Sequence, residues 1–82
     1  MFYVSKLINQ PVELKYMGDF PLSFSFGQNF IIHYIVKHWR EAGQWWLDEP
    51  ELFIYEVRTN HCHCELHFLP DSGTWILYRF AD

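Results

Sequence analysis

The stretch FIIHYIVKHWRE, Phe30–Glu41, decides the fold. At helical spacing, Phe30, His33, Tyr34, Lys37 and His38 would share one face. Against a helix stand four β-branched residues, Ile31, Ile32, Ile35 and Val36. Such side chains are stiff about χ1 and pack well on a pleated surface, so they favour strands. The stretch therefore reads as one long strand with a bulge near His33–Tyr34, and a short helix over 30–39 is the alternative.

Outward from it, the chain is a series of short segments rich in aromatic and β-branched residues. Turn residues punctuate them: MGD at 17–19, GQN at 27–29, EAGQ at 41–44, DEP at 48–50, TN at 59–60 and PDSG at 70–73. Strands are expected at about 11–16, 22–26, 30–39, 51–59, 62–69 and 74–80, with residues 1–9 as an edge strand or arm. Alternation supports this. Phe53, Tyr55 and Val57 oppose Glu56 and Arg58. Cys64, Leu66 and Phe68 oppose Glu65 and His67. Ile76, Tyr78 and Phe80 oppose Trp75, Leu77 and Arg79. About six antiparallel strands at regular turn spacing predict an all-β fold, a small SH3-like barrel or strongly curled sheet.

An 82-residue chain holds one domain, residues 1–82, with a limited core. Eight Phe, five Tyr and four Trp compensate, because each ring buries roughly 150–250 Å². A net charge of −4 argues against a phosphate-gripping surface, which needs clustered Lys and Arg. The six cations, Lys6, Lys15, Lys37, Arg40, Arg58 and Arg79, are scattered along the chain. No apolar run approaches the ~18 residues of a membrane span. The start, MFYVSKLINQ, shows no signal-peptide pattern, and a cytoplasmic location is expected.

NHCHCELHF, Asn60–Phe68, concentrates His61, Cys62, His63, Cys64 and His67. Structural zinc needs four ligands in a tetrahedron. On a strand, Cys62 and Cys64 point to one face and His61, His63 and His67 to the other. His63 and His67 would lie roughly 13 Å apart. One strand cannot aim both sets at one ion, so these residues are weak metal candidates and no cofactor is expected. The plainer reading is an apolar face of Cys62, Cys64, Leu66 and Phe68 backed by a wet face. Reduced thiols fit the expected cytoplasmic location.

HWREAGQWWLDEPE, His38–Glu51, places Trp39 and Arg40 before a glycine turn and Trp45 and Trp46 after it. An exposed indole beside Arg40 would anchor a protein partner, since Trp and Arg dominate interface energetics. It would equally stack on a nucleobase. The competing reading buries these indoles in the core. No phosphate-binding glycine loop, Gly-x-Ser-x-Gly elbow or Cys–His dyad is present, so no enzyme is expected.

The ordered strings PVEL, PLSFSFG, FIIHYIVKHWREAGQWW, FIYEVRT, CELHF and WILYRFAD cover nearly the whole chain. They resemble a small bacterial domain family of unknown function. That family occurs alone and at the C-terminus of Y-family, translesion-type DNA polymerase homologues. Trp39-Arg40, Gly43 and Trp45-Trp46 carry the resemblance most specifically. It implies a context of DNA damage tolerance and marks Trp39, Arg40, Trp45, Trp46, Trp75 and Arg79 as partner-binding residues. The chain departs from the family at GQN, where the family carries an arginine-bearing turn, and at HCHC. The expected role is an interaction module for a DNA polymerase or repair protein. The alternatives are a single-stranded nucleic-acid-binding barrel and a zinc-stabilised dimer. A homodimer through an edge strand, with FYVSKLI as the candidate, is also compatible with the sequence.

Overall fold

The computed structural model describes residues 5–18, 20–42 and 51–81. These form seven strands: β1 Ser5–Val12, β2 Leu14–Met17, β3 Phe20–Ser25, β4 Asn29–Glu41, β5 Leu52–Thr59, β6 His63–Leu69 and β7 Thr74–Ala81. The described residues contain no helix, and the fold is all-β as expected. Every pairing is antiparallel, in the order β1-β7-β6-β5-β4-β3-β2. β1 and β2 lie at opposite edges of the sheet, yet only Glu13 separates them in the chain. A flat sheet cannot satisfy that connection, so the sheet curls into a half-barrel. The expected strand 11–16 is thus two strands broken at Glu13. The expected N-terminal edge strand is β1, which starts at Ser5 and runs on to Val12.

β4 is a strand of 13 residues, not a helix. Its register against β5 shifts twice, between Ile32 and Tyr34 and between Ile35 and Lys37. His33 and Val36 are therefore inserted residues, the first at the expected bulge. Each insertion re-aims the side chains that follow and adds local twist. Another shift falls between Glu65 and Leu66 of β6, whose partners on β7 are Arg79 and Leu77. Tyr78 is the inserted residue there. This corrects the expected faces of β7: Trp75, Leu77 and Phe80 share the inner side, because the bulge switches parity after Leu77.

The core lines the concave side. Phe24, Phe30, Ile32, Val57, Cys64, Leu66, Trp75 and Leu77 form its buried centre, with Phe26, Tyr55, Phe68 and Phe80 packed around them. Aromatics do much of the filling. Phe24 stacks on Phe30 at 5.0 Å, and Phe30 on Phe80 at 5.4 Å, which ties β3 and β4 across to β7. Trp75 packs on Phe68 at 4.8 Å and Tyr55 at 5.3 Å, and its indole N–H donates to the Tyr16 hydroxyl. Burying one such side chain contributes about 1.5–3 kcal/mol.

The β5–β6 turn is held by Thr59, which is fully buried. Its hydroxyl donates to the Cys62 carbonyl at 2.8 Å and accepts from the backbone N–H groups of Cys62 and His61 at 3.1 and 3.2 Å. The hydroxyl is thereby satisfied, as burial of a polar group requires. Next to it, Asn60 grips Ile31 of β4: its N–H donates to the Ile31 carbonyl and its side-chain oxygen accepts the Ile31 N–H. Among the described residues, no helix is long and apolar enough to cross a membrane.

Candidate interaction surface

The outer face of the half-barrel carries two cross-strand rows. One runs Lys37, Glu56, Glu65, Arg79 and Leu7 from β4 to β1. The other runs Trp39, Ile54, His67, Ile76 and Pro11. Ile54 is buried although it stands outside the core cluster, with Trp39 and His67 as its cross-strand neighbours.

This corrects the expected wet face of β6. Glu65 and His67 are half-buried, with side-chain exposures of 14% and 12%. Glu65 accepts from His67 Nε2 at 2.6 Å and from Arg79 Nη2 at 2.9 Å. The Tyr78 ring stacks on His67 at 4.2 Å. Alternation assigns these residues correctly to one side but cannot show that neighbours cover that side.

β4 pairs with β3 only at Asn29, Phe30 and Ile31. From Ile32 to Glu41 it pairs with β5 on one side, and its other side meets no strand among the described residues. Tyr34, Val36 and Trp39 are exposed along this stretch. Trp39 is ordered by its flanks: Lys37 Nζ lies 5.2 Å from its ring centroid, and its indole N–H donates to Glu41 Oε1 at 3.4 Å. Sequence reasoning singled out Trp39 and Arg40 but missed Tyr34, Val36, Lys37 and Glu41. The signal for the last two was present in KHWRE, where opposite charges stand on either side of Trp39 at even spacing.

The structure separates the residues marked for partner binding. Trp39 is exposed on the β4 edge. Arg40 lies on the same strand, its guanidinium 3.9 Å from Glu51. Arg79 is part of the outer-face cluster, three strands away. Trp75 belongs to the core, with an exposure of 7%, which withdraws it as a surface anchor. Trp45 and Trp46 lie outside the described residues.

The metal candidates are not gathered into a coordination sphere. Cys62 and Cys64 turn to the same side, as alternation predicts, with 3.8 Å between sulfur atoms. Cys62 precedes β6 and belongs to the turn rather than to the expected strand at 62–69. Cys64 is buried, and that burial, with Cys62 adding to it, pushes its thiol far above its ordinary value. The thiolate, the form that binds metal, is correspondingly disfavoured. His61 sets its ring against the edge of Phe30 at 5.0 Å, and His63 opens β6. Among the described residues, no three His, Cys, Asp or Glu side chains are grouped to hold an ion.

A groove of about 550 Å³ lies where the β1–β2 corner meets the β6–β7 turn, between Pro11, Glu13, Leu14, Tyr16, Thr74 and Trp75. Within it, the Trp75 indole already gives its N–H to Tyr16.

Lys37 faces Glu56 at 3.8 Å, Arg40 faces Glu51, and Arg79 faces Glu65. Comparison with known protein families, curated proteins and solved structures finds no match.

Proposed function

We propose that the chain is a small non-catalytic interaction module of the bacterial cytoplasm that docks on a partner protein through the second edge of β4. The observation that carries this reading is the stretch Tyr34–Glu41, extended and unpaired on one side among the described residues, with Tyr34, Val36 and Trp39 exposed. An exposed strand edge is a template for a further strand, with main-chain hydrogen bonds for affinity and alternate side chains for specificity. The sequence resemblance supplies the context, a Y-family polymerase or another protein of DNA damage tolerance. The nucleic-acid reading is weaker, because Lys37, Arg40 and Arg79 each face a glutamate.

The test is affinity capture with the folded chain as bait against a bacterial lysate, followed by direct binding to the captured polymerase or repair protein. Trp39→Ala is expected to weaken that binding by roughly 30-fold, as for a central aromatic anchor. Leu7→Ala, on the β1 edge, is expected to leave it unchanged. Capture of no such protein by a bait with an intact fold overturns the assignment to DNA damage tolerance. Equal binding by the Trp39 variant overturns the choice of surface.

A further inference from the structure

We infer that the β4 edge pairs with β4 of a second copy of this chain, antiparallel about a two-fold axis at Trp39. The inference rests on the reading of that edge as the docking surface: while no partner protein is bound, a second copy occupies it. It is carried by the charge order on the outer face. Lys37 pairs with Glu56 and Trp39 with Ile54 across β5, Lys37 lies over the Trp39 ring, and the Trp39 indole donates to Glu41. Cation, aromatic and anion therefore follow one another at alternate positions on one face.

Rotating this sequence by 180° about Trp39 places Lys37 of each copy opposite Glu41 of the other, with Trp39 opposite Trp39. Cross-strand pairs of opposite charge and of two aromatics are favourable combinations on a sheet. Neighbouring registers lose them. Centred on Lys37, the pairing sets lysine against lysine. Centred on His38, it sets Lys37 against Trp39 and leaves Glu41 without a cation. Centred on Arg40 or Glu41, it sets like charges together. A parallel pairing places lysine beside lysine and glutamate beside glutamate. Trp39 is thus the centre that matches both charges. On the inner face, His38 meets Arg40, whose charge is already answered by Glu51. The present partner of Lys37, Glu56, is a loose one at 3.8 Å between exposed groups, so Lys37 can turn to a second copy.

The expected state is a dimer that weakens with added salt. Analytical ultracentrifugation over a concentration series tests it, with circular dichroism to confirm the fold of each variant. Lys37→Glu and Glu41→Lys are each expected to weaken self-association roughly tenfold or more, because each creates two like-charge contacts per dimer. The double variant K37E/E41K restores opposite charges across the axis and is expected to dimerise like the original chain. A chain that is monomeric at all concentrations, single variants that dimerise unchanged, or a double variant that stays monomeric would each overturn the proposal. If the chain is monomeric while Trp39→Ala still loses the captured partner protein, the docking surface stands and self-pairing alone falls.

Discussion

Glu65 and His67 stand two residues apart on β6 and meet at 2.6 Å on the outer face, under the ring of Tyr78. Same-face neighbours on a strand lie about 6.6 Å apart at the backbone, so two long polar side chains can close the gap. The second oxygen of Glu65 takes Arg79 from β7. One half-buried carboxylate thus joins two strands beside the Tyr78 bulge.

Glu65→Ala removes both contacts and leaves the His67 ring and the Arg79 guanidinium without their acceptor. Hydrogen bonds to charged groups contribute more than neutral ones, but Arg79 is largely exposed and water takes up part of its loss. The expected cost is about 1–2 kcal/mol, read as a lower midpoint in urea unfolding. Glu56→Ala, one strand away and more exposed, is expected to cost less than half of that. Equal effects at the two positions would show that the cluster adds nothing beyond exposed charge.

Leu77→Ala cuts into the centre of the core, where Leu77 is fully buried with Leu66, Val57 and Trp75. Large-to-small changes at such positions cost about 2–5 kcal/mol. A small domain has about 5–15 kcal/mol in all, so the variant is expected to be partly unfolded near 37 °C. Leu7→Ala, at 63% exposure on β1, is the matched control and is expected to shift the midpoint little. Thermal denaturation of the pair distinguishes a packed core from a loosely collapsed one.

Alkaline pH acts through Cys64. Its folded thiol is held well above the ordinary value of 9.0, first by burial and then by the charge of Cys62. Above about pH 9 the unfolded chain releases a proton that the folded chain keeps, so stability falls as pH rises, by up to about 1.4 kcal/mol per pH unit. Partial burial of Tyr16 shifts its hydroxyl in the same direction and adds to the decline at higher pH. Urea unfolding between pH 8 and 10.5 is expected to show a falling limb that flattens in Cys64→Ala. A limb of the same slope in that variant would assign the decline to other groups. The native Cys64 thiol is likewise expected to resist thiol reagents until the chain unfolds.

The sequence made the strand composition legible because β-branched and aromatic residues alternate with polar ones along β5 and β6. What it hid follows from the bulges. On β4, Phe30, Ile32 and Ile35 pack inward and His38 stacks on Tyr55. Spacings of two, three and three arise from the insertions at His33 and Val36 and imitate a helix. Tyr78 hides the parity of β7 in the same way. The break at Glu13 left no mark in the alternation, since it is the closure of the sheet that demands it. Of the residues marked for a partner, Trp39 and Arg40 lie on the surface, but residue type alone left open whether the indole was exposed or buried. Trp75 was marked for the surface by the resemblance alone, and the Tyr78 bulge sets it on the opposite side of the sheet from Arg79.

Asn9 tests the irregularity of β1. It lies within the register shift of β1 between Leu7 and Gln10 and has φ of 52°. That left-handed conformation strains most side chains, and asparagine tolerates it better than others. Asn9→Gly is expected to be neutral or slightly stabilising, because glycine reaches positive φ without a Cβ clash. Asn9→Val is expected to cost about 1–2 kcal/mol. Chemical denaturation ranks the three, and a valine variant as stable as the original would mean that β1 pairs with β7 without the bulge.

Closure of the half-barrel is testable at Tyr16 and Trp75, 59 residues apart in the chain and joined by the indole N–H to the phenolic oxygen. Tyr16 stands on β2 at one edge of the sheet, and Trp75 is the second residue of β7, the strand next to the other edge. Tyr16→Phe keeps the ring and deletes the acceptor, leaving a mostly buried N–H without its partner. The expected loss is about 1–2 kcal/mol, larger than removal of an exposed hydroxyl. Hydrogen exchange at the Trp75 indole, followed by NMR, is expected to quicken in the variant while exchange along β5 and β6 stays slow. That pattern separates opening of the β2 corner from general loosening. Unchanged indole exchange would show that packing against Phe68 and Tyr55 protects Trp75 without the hydroxyl.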